Sequence, residues 1–578
     1  MKLSVTGFLK PDRLALAIAI MVSLIIVCYP ITDPDMYWHL AMGREMVNSG
    51  RIVQEEIFSF THFGETFHNH EWLGQIIFYL IWHDLGPYWL FGFKLLVTAL
   101  VVMILYRIIR NSGGQPLLAG VLCTLAILIG INRYIERPEL FSLFNTVLLG
   151  YVLYGYAGRR FSAGVLWLIP PLMVVWDWLH GAMYGLVFLT LFVIGENLKY
   201  SFSTLRHTNV LAKDLLKHLN LCFSASIVAM LVNPFGLLTY GVFVDLAQGK
   251  AGTDMVWEFM PTSWRENPGT YILITWTFLL LFRNIRKLDV TSLLLAVTFS
   301  YLSLRYNRAT AFGAIVLAPI VSSQIHSAMR YTINHLETRL HIASVALAAI
   351  FVLGFGYSIK FNAGWSGYPR DFGYKLLDDN YPAGSVRFVK AVGLTGNLYN
   401  NGDDGGYLAF YLAPERKIFR YNMPLFGSHT YLFEHPEEIR KWNFNYAIHK
   451  YPTEANFLSP QRGWAWIYHE HRALLAIRRS PENQALIDEY EIRYFSPSLT
   501  NEEYFSLARD PQKLPRLVFE MGVYLAYRDD DRISGVWTEL LGRHPDLLIQ
   551  PRISELLQQS LNYNQTPALV QLSRQQVH

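Results

Sequence analysis

The stretch WLGQIIFYLIW, Trp72 to Trp82, decides how the chain is threaded. It is apolar enough to cross a membrane but falls well short of the roughly twenty residues a hydrocarbon core asks for. The charges around it settle the reading. If Trp72–Trp82 lies in the interface, one set of alternate loops collects Lys2, Lys10 and Arg13; Arg107 and Arg110; Arg159 and Arg160; Lys199, Arg206, Lys213 and Lys217; Arg283, Arg286 and Lys287; and Arg330 and Arg339. Counting it as a span moves Arg107 and Arg110 to the other side and shifts every later loop. The excess of Lys and Arg in cytoplasmic loops therefore predicts an interfacial segment and a cytoplasmic amino terminus.

Working outward, apolar runs recur at Leu14–Tyr29, Tyr88–Leu105, Leu117–Ile131, Leu140–Ala157, Val165–Trp178, Met183–Ile194, Leu219–Val232, Tyr271–Phe282, Val290–Leu304, Ala309–Ile325 and Ile342–Tyr357. The expected fold is mainly α: a polytopic membrane helix bundle of about eleven spans, with interfacial helices in a first outer loop at 31–87. The first run follows a basic start without a small-x-small cleavage site, so it reads as a retained anchor. Composition agrees: 52% of the 578 residues are apolar and only 16% charged, with a mean hydropathy of +0.21. A net charge of +4 gives no footing for nucleic acid. Cys28, Cys123 and Cys222 all sit in apolar runs and match neither a disulfide framework nor a zinc spacing.

Past residue 360 charge, Pro and Asn rise. An extracytoplasmic α/β domain is expected over 361–535, with short helices and strands in SVRFVKAVG, GNLYN and RKIFRY, a turn at NNGDDGG and a last strand at VYLAYRD. A helical segment of amphipathic runs closes the chain at 536–578.

This threading puts Asp33, Asp35, His39, Glu71, Glu136, Arg137, Asp177, His180, Asn233, Glu258, Arg305 and Arg308 in outer loops or at outer helix ends. Ionisable groups near membrane depth are costly and tend to line a cavity or pair with one another, so one shared outer cavity is expected. In DPDMYWHL, Asp33 reads as an N-cap and Pro34 as the first helical residue, starting a helix from Asp35 to about Val47. Trp38 and His39 share the face of Asp35, and the positive helix start favours an ionised carboxylate suited to a general base. His68, His70 and Glu71 in HNHE are the candidate ligands should a divalent metal take part, although they lack the i, i+4 helical spacing of a zinc peptidase. No other cofactor is called for.

Each of these residues also has an ordinary role. Arg137 beside Glu136 and Glu139 can close an ion pair, Arg305 and Arg308 can reach for headgroups, and Trp38, Trp72, Trp176, Trp178 and Trp257 can form an interfacial belt.

The series DPDMYWHLAMGREMVNSG, FSFTHFGETFHNHEWL, ERPELFS, WDWLHG, LVNPFG, WEFMP and GNLYNNGDDGGYLAFYL resembles, in its order, a family of large bacterial membrane proteins akin to the GT-C glycosyltransferases. The likeness runs from Ile31 to about Leu412. It departs at Asp177, where that family has a small or amide residue. The resemblance implies an inverting transferase that takes a sugar from a polyprenyl phosphate in the bilayer and passes it to a glycan, lipid or protein acceptor at the periplasmic face of the inner membrane. Asp35, then Asp33, would be the base; Arg137, Arg308 and Arg305 would meet the donor phosphate; His39, Trp38, Glu71, Trp72, His180 and Glu258 would line the substrate. Chemistry agrees with the donor: nucleotide sugars stay inside the cell, and a leaving phosphate needs cations. The alternatives are a ligase or oligosaccharyltransferase using a lipid-pyrophosphate glycan, and a transporter or scaffold without chemistry.

Overall fold

The computed structural model describes residues 11–31, 33–202, 210–241, 257–285, 288–329, 372–374, 381–422, 441–450 and 458–576. It divides into two compact units. The first holds Met1–Asp33, Met42–Gln54 and His68–Leu376; the second holds Pro34–Ala41, Glu55–Phe67 and Leu377–His578.

The first unit is a helix bundle. Its elements are α1 (Pro11–Val27), the later turns of α2 (Asp35–Ser49), α3 (Trp72–Leu80), α4 (Pro87–Asn111), α5 (Pro116–Ile129), α6 (Glu139–Ala157), α7 (Ile169–His180), α8 (Met183–Ser201), α9 (Lys213–Ala229), α10 (Pro268–Arg283), α11 (Val290–Arg305) and α12 (Thr310–Met329). The sequence punctuates them plainly. Pro87, Pro116 and Pro268 sit in first turns, where a missing N–H costs nothing. The Asn267 and Asp289 side chains cap α10 and α11 by accepting from Thr270 N and Ser292 N.

Among the described residues four segments are long and apolar enough to cross a membrane: Pro87–Asn111, Glu139–Ala157, Ala163–His180 and Asn307–Ser327. Pro116–Ile129 and Val290–Arg305 are apolar but shorter; at 1.5 Å per residue they span only about 20–25 Å. The first ten expected runs are all helical, and the eleventh, Ile342–Tyr357, lies outside the described residues. Trp72–Trp82 breaks after Leu80 into a π-helical turn, Ile81–Leu85, so α3 is far too short to span.

Helices α1 and α5 meet through small residues: a Cβ on Gly120 would lie 3.3 Å from Ala15 O, the close approach that holds apolar helices together where lipid offers no hydrophobic drive. Helix α12 is the innermost, buried over most of its length and packed on α5, α10 and α11.

The second unit carries a four-stranded mixed sheet of β1 (Leu398–Asn400), β2 (Tyr446–Lys450), β3 (Trp464–His469) and β4 (Ala473–Arg478), ordered β1-β2-β4-β3. β1 runs parallel to β2 and the other pairs are antiparallel. Around it lie α13 (Ala383–Ala391), α14 (Gly402–Leu412), α15 (Gln484–Tyr490), α16 (Asn501–Ala508), α17 (Leu514–Leu525), α18 (Asp531–Arg543), α19 (Pro551–Ser560) and α20 (Pro567–Gln576).

Two local expectations are corrected here. NNGDDGG is no turn: Asn401 accepts from Asp404 N at 2.9 Å and caps α14, which runs on through both glycines. VYLAYRD is no strand, because Leu517, Met521 and Leu525 recur at helical spacing and Val523–Leu525 end α17.

Glu56 ties a first-loop segment into this unit. Fully buried, it accepts from Phe58 N at 2.8 Å, from Ser59 N at 2.7 Å and from the Tyr421 hydroxyl.

Candidate functional site

One end of the first unit gathers charge from helix ends far apart in sequence. Asp33 follows α1, Arg133 and Arg137 lie between α5 and α6, Glu139 opens α6, Glu258 sits in a short turn before α10, and Arg308 lies between α11 and α12. Ion pairs between these helix ends bring together polar groups scattered over nearly three hundred residues.

The three arginines are committed to different degrees. Arg137 grips Asp33 with Nε on Oδ2 and Nη2 on Oδ1 at 2.5 Å, a bidentate fork. Its Nη1 reaches Glu258 at 3.3 Å. Arg133 donates to Glu258 at 2.8 Å and to Glu139, and its side chain is almost wholly buried. Arg308 is held loosely: Glu139 and Glu258 lie 3.8 and 3.9 Å away, beyond hydrogen-bond length. Its Nε is buried and finds no hydrogen-bond partner among the described residues. Burial alone would resist ionisation of Glu258, but Arg133, Arg308 and Arg137 outweigh it and hold the carboxyl far below the usual carboxylate range. Arg305 stands apart; it is exposed and lies over the Tyr306 ring.

Beside this array stands a second group. Glu71, just ahead of α3, lies 3.2 Å from His180 Nε2 at the end of α7. On the other side of that ring, His180 Nδ1 is 2.9 Å from Ser142 Oγ, which accepts from Trp176 Nε1 at 2.7 Å. Gly74 permits the approach, since a Cβ there would meet Leu179 O at 2.5 Å and Pro138 Cβ at 2.9 Å. Burial raises the Glu71 carboxyl to about 7; Arg308 and Arg137 oppose the rise and Glu258 adds to it. Burial likewise lowers His70 to about 4, assisted by Arg308. Trp72 packs against Trp178, ring centroids 5.6 Å apart, with its indole N–H buried and unpartnered among the described residues.

Of the sequence candidates, the first unit thus brings together Asp33, Arg137, Arg308, Glu258, Glu71, Trp72 and His180. Asp35, Trp38 and His39 belong to the second unit, at the start of α2. There the Trp38 and His39 rings lie 3.9 Å apart, and Tyr37 packs edge-on against Tyr381 and Tyr407. The helix runs from Asp35, as expected, and the Asp33 carboxylate ahead of it is gripped by Arg137. In HNHE, His68 packs on Phe235 while His70 Nε2 lies 3.9 Å from Glu71 Oε1; no group of three or more His, Cys, Asp or Glu able to hold a metal ion occurs among the described residues.

Sequence reasoning passed over Arg133, Ser142 and Lys94, and it gave Glu139 to Arg137 where the structure gives it to Arg133. Lys94 had a signal, being a lone charge inside an apolar run; it is fully buried and pairs with Glu136 at 2.8 Å. Asp177, the departure noted above, is buried and accepts from Asn233 at 2.7 Å and from Tyr240 at 3.1 Å. Asn233 in turn accepts from Phe235 N and from the Thr239 hydroxyl, so the pair braces the loop after α9.

No family model matches the chain, and no curated protein does. Fifteen chains of solved structures match it. One is the crystal structure of ArnT from Cupriavidus metallidurans bound to undecaprenyl phosphate, to which the chain is similar at 15% sequence identity and a TM-score of 0.45, over 82% of this chain and 98% of that one.

Proposed function

We propose that this protein is a membrane glycosyltransferase that moves a sugar from a polyprenyl phosphate to an acceptor at the outer face, by a single inverting displacement. Arg308 carries the reading. A cation between two carboxylates, with its Nε–H buried and unpaired among the described residues and both acids beyond hydrogen-bond reach, is a poor structural element, because a buried donor without an acceptor costs about 1–3 kcal/mol. An anion that enters against Arg308 repays that cost, and a phosphate that gathers charge as the glycosidic bond breaks repays most. The ordered motif series supports the same donor class, and the basic loops support an outward-facing site with the amino terminus cytoplasmic.

In this reaction the acceptor oxygen or nitrogen attacks the anomeric carbon while the carbon–oxygen bond to phosphate breaks and its electron pair leaves on phosphate. Arg308 takes the leaving charge. Arg137 and Arg133, tied to Asp33, Glu139 and Glu258, hold the surrounding field in place. The motif series assigns the acceptor proton to Asp35; Asp33 is engaged by Arg137. The experiment is incubation of the purified native protein and Asp35→Asn in lipid nanodiscs with radiolabelled polyprenyl-phosphate sugars and envelope membranes, with and without chelator. Transfer by the native protein and its loss in Asp35→Asn is expected. Equal transfer by both removes Asp35 as the base, and no transfer from any donor removes the enzyme reading.

A further inference from the structure

Three side chains behind Glu71 serve no need of helix packing alone. An indole N–H can only donate, so Trp176 Nε1 fixes Ser142 Oγ as an acceptor at 2.7 Å. The Ser142 hydroxyl hydrogen is then available to His180 Nδ1 at 2.9 Å. In the tautomer in which Nδ1 accepts, the ring proton sits on Nε2, 3.2 Å from Glu71 Oε1, and is donated to that carboxylate. The line Trp176–Ser142–His180–Glu71 thus runs from a fully buried indole to a carboxylate beside the arginine array, each member oriented by the one behind it. Next to that carboxylate, Trp72 and Trp178 present two indoles 5.6 Å apart. The Trp72 N–H is buried without a partner, which is not how a belt tryptophan meets headgroups.

We propose that Glu71, Trp72 and Trp178 form the sugar-ring subsite of the donor, with His180 as the positioning residue for Glu71. The proposal rests on the lipid-linked donor argued above and adds where its sugar lies. A pyranose or furanose offers a weakly polar C–H face and a rim of hydroxyls. The indoles suit the face, the Glu71 carboxylate accepts from a hydroxyl, and the Trp72 N–H gains the acceptor it lacks. The start of α3 packs against Pro138, between Arg137 and Glu139, so the phosphate and sugar halves of one donor can meet the arginine array and Glu71 together. The two halves of one ligand then read the two halves of the site: charge at the arginines, hydroxyls and ring face at Glu71 and the indoles.

The test separates those halves. Equilibrium binding to the full chain in nanodiscs is measured for bare farnesyl phosphate and for farnesyl phosphate carrying each of a panel of hexoses, pentoses and amino sugars. For the best sugar, Glu71→Gln is expected to weaken binding about 10- to 100-fold, the range for a lost hydrogen bond to a charged group, and Trp72→Leu about tenfold. Both are expected to leave bare farnesyl phosphate within about twofold, which also shows that the variants are folded. His180→Ala should follow Glu71→Gln. His180→Gln, whose amide can donate from the place of Nε2, should recover most of the loss, whereas His180→Asn should not. Equal losses for both ligands, no loss for either, or a native protein that never binds a sugar-bearing lipid better than bare phosphate overturns the subsite. If Glu71→Gln loses the sugar-bearing ligand while Arg308→Ala changes neither, the subsite stands and the phosphate assignment falls. If the native protein binds neither ligand, both fall.

Discussion

Arg137 holds Asp33 by two parallel contacts across 104 residues of sequence, and the carboxylate it holds is almost fully buried. An acid so engaged is fixed in place, which suits a brace better than a proton acceptor.

Asp33→Asn is therefore expected to act on stability first. Removing one member of a buried ion pair leaves the other charge uncompensated and costs about 3–5 kcal/mol; Arg137 is partly screened, so the lower end applies. Thermal unfolding in nanodiscs should show a clear drop for Asp33→Asn and a partial return in Asp33→Asn/Arg137→Gln. Asp35→Asn should lose transfer. The reverse pattern would exchange the roles of the two acids.

Arg308 and Arg133 should part in the same way. Arg308→Ala gives up two long contacts, a place over the Phe259 ring and an unsatisfied N–H, so it should cost less stability than Arg133→Ala. Binding of a polyprenyl phosphate should weaken about 10- to 100-fold and lose part of its salt dependence. Arg133→Ala breaks two buried pairs and should unfold at lower temperature. Arg305→Ala, exposed over Tyr306, should do neither; a loss of phosphate binding there would move the anion site outward.

The bundle was readable in the sequence because apolar runs bounded by Pro, Asn and Asp write their own limits. That acids and arginines from distant helix ends would gather was readable too, from the threading. Which charge pairs with which was not. Arg133 and Arg137 lie one helical turn apart and look alike in NRYIERPE, yet one is buried between Glu139 and Glu258 and the other reaches back to Asp33. Glu55 and Glu56 are neighbours of the same type. Alternation sends only Glu56 inward, where two backbone N–H groups and Tyr421 wait for it. Such choices depend on partners hundreds of residues away. The DPD pair was misleading for a related reason: its two acids are two residues apart but belong to different units.

Glu258 sets an acid limit on the first unit. Its carboxyl is depressed below the ordinary value of 4.5 because three arginines outweigh the cost of burial. A group with a depressed folded pKa contributes stability that is present above its unfolded value and is lost as pH falls towards the folded one. Melting temperature should accordingly hold down to about pH 5 and decline below about 4.5. Glu258→Gln should start lower at neutral pH, where the arginines lack a partner, and should lose part of the acid-dependent decline. A variant that keeps the native slope would show that other carboxylates govern acid unfolding.

Gly74 offers the sharpest control on the Glu71–His180 contact because it touches neither residue's chemistry. An added methyl there would stand 2.5 Å from the Leu179 carbonyl, a backbone atom that cannot swing aside, and 2.9 Å from Pro138 Cβ. To relieve that overlap α3 must draw away from the end of α7, which carries His180, and the 3.2 Å contact to Glu71 must lengthen. Gly74→Ala is thus expected to cost about 1–3 kcal/mol as an overpacked contact and to weaken sugar-bearing farnesyl phosphate as Glu71→Gln does, with bare farnesyl phosphate spared. Gly92, whose surroundings would admit a Cβ without contact, supplies the matched substitution, and Gly92→Ala should change neither ligand. If Gly74→Ala lowers stability yet keeps full discrimination between the two ligands, the proximity of α3 and α7 is a packing matter only, and His180 does not position Glu71.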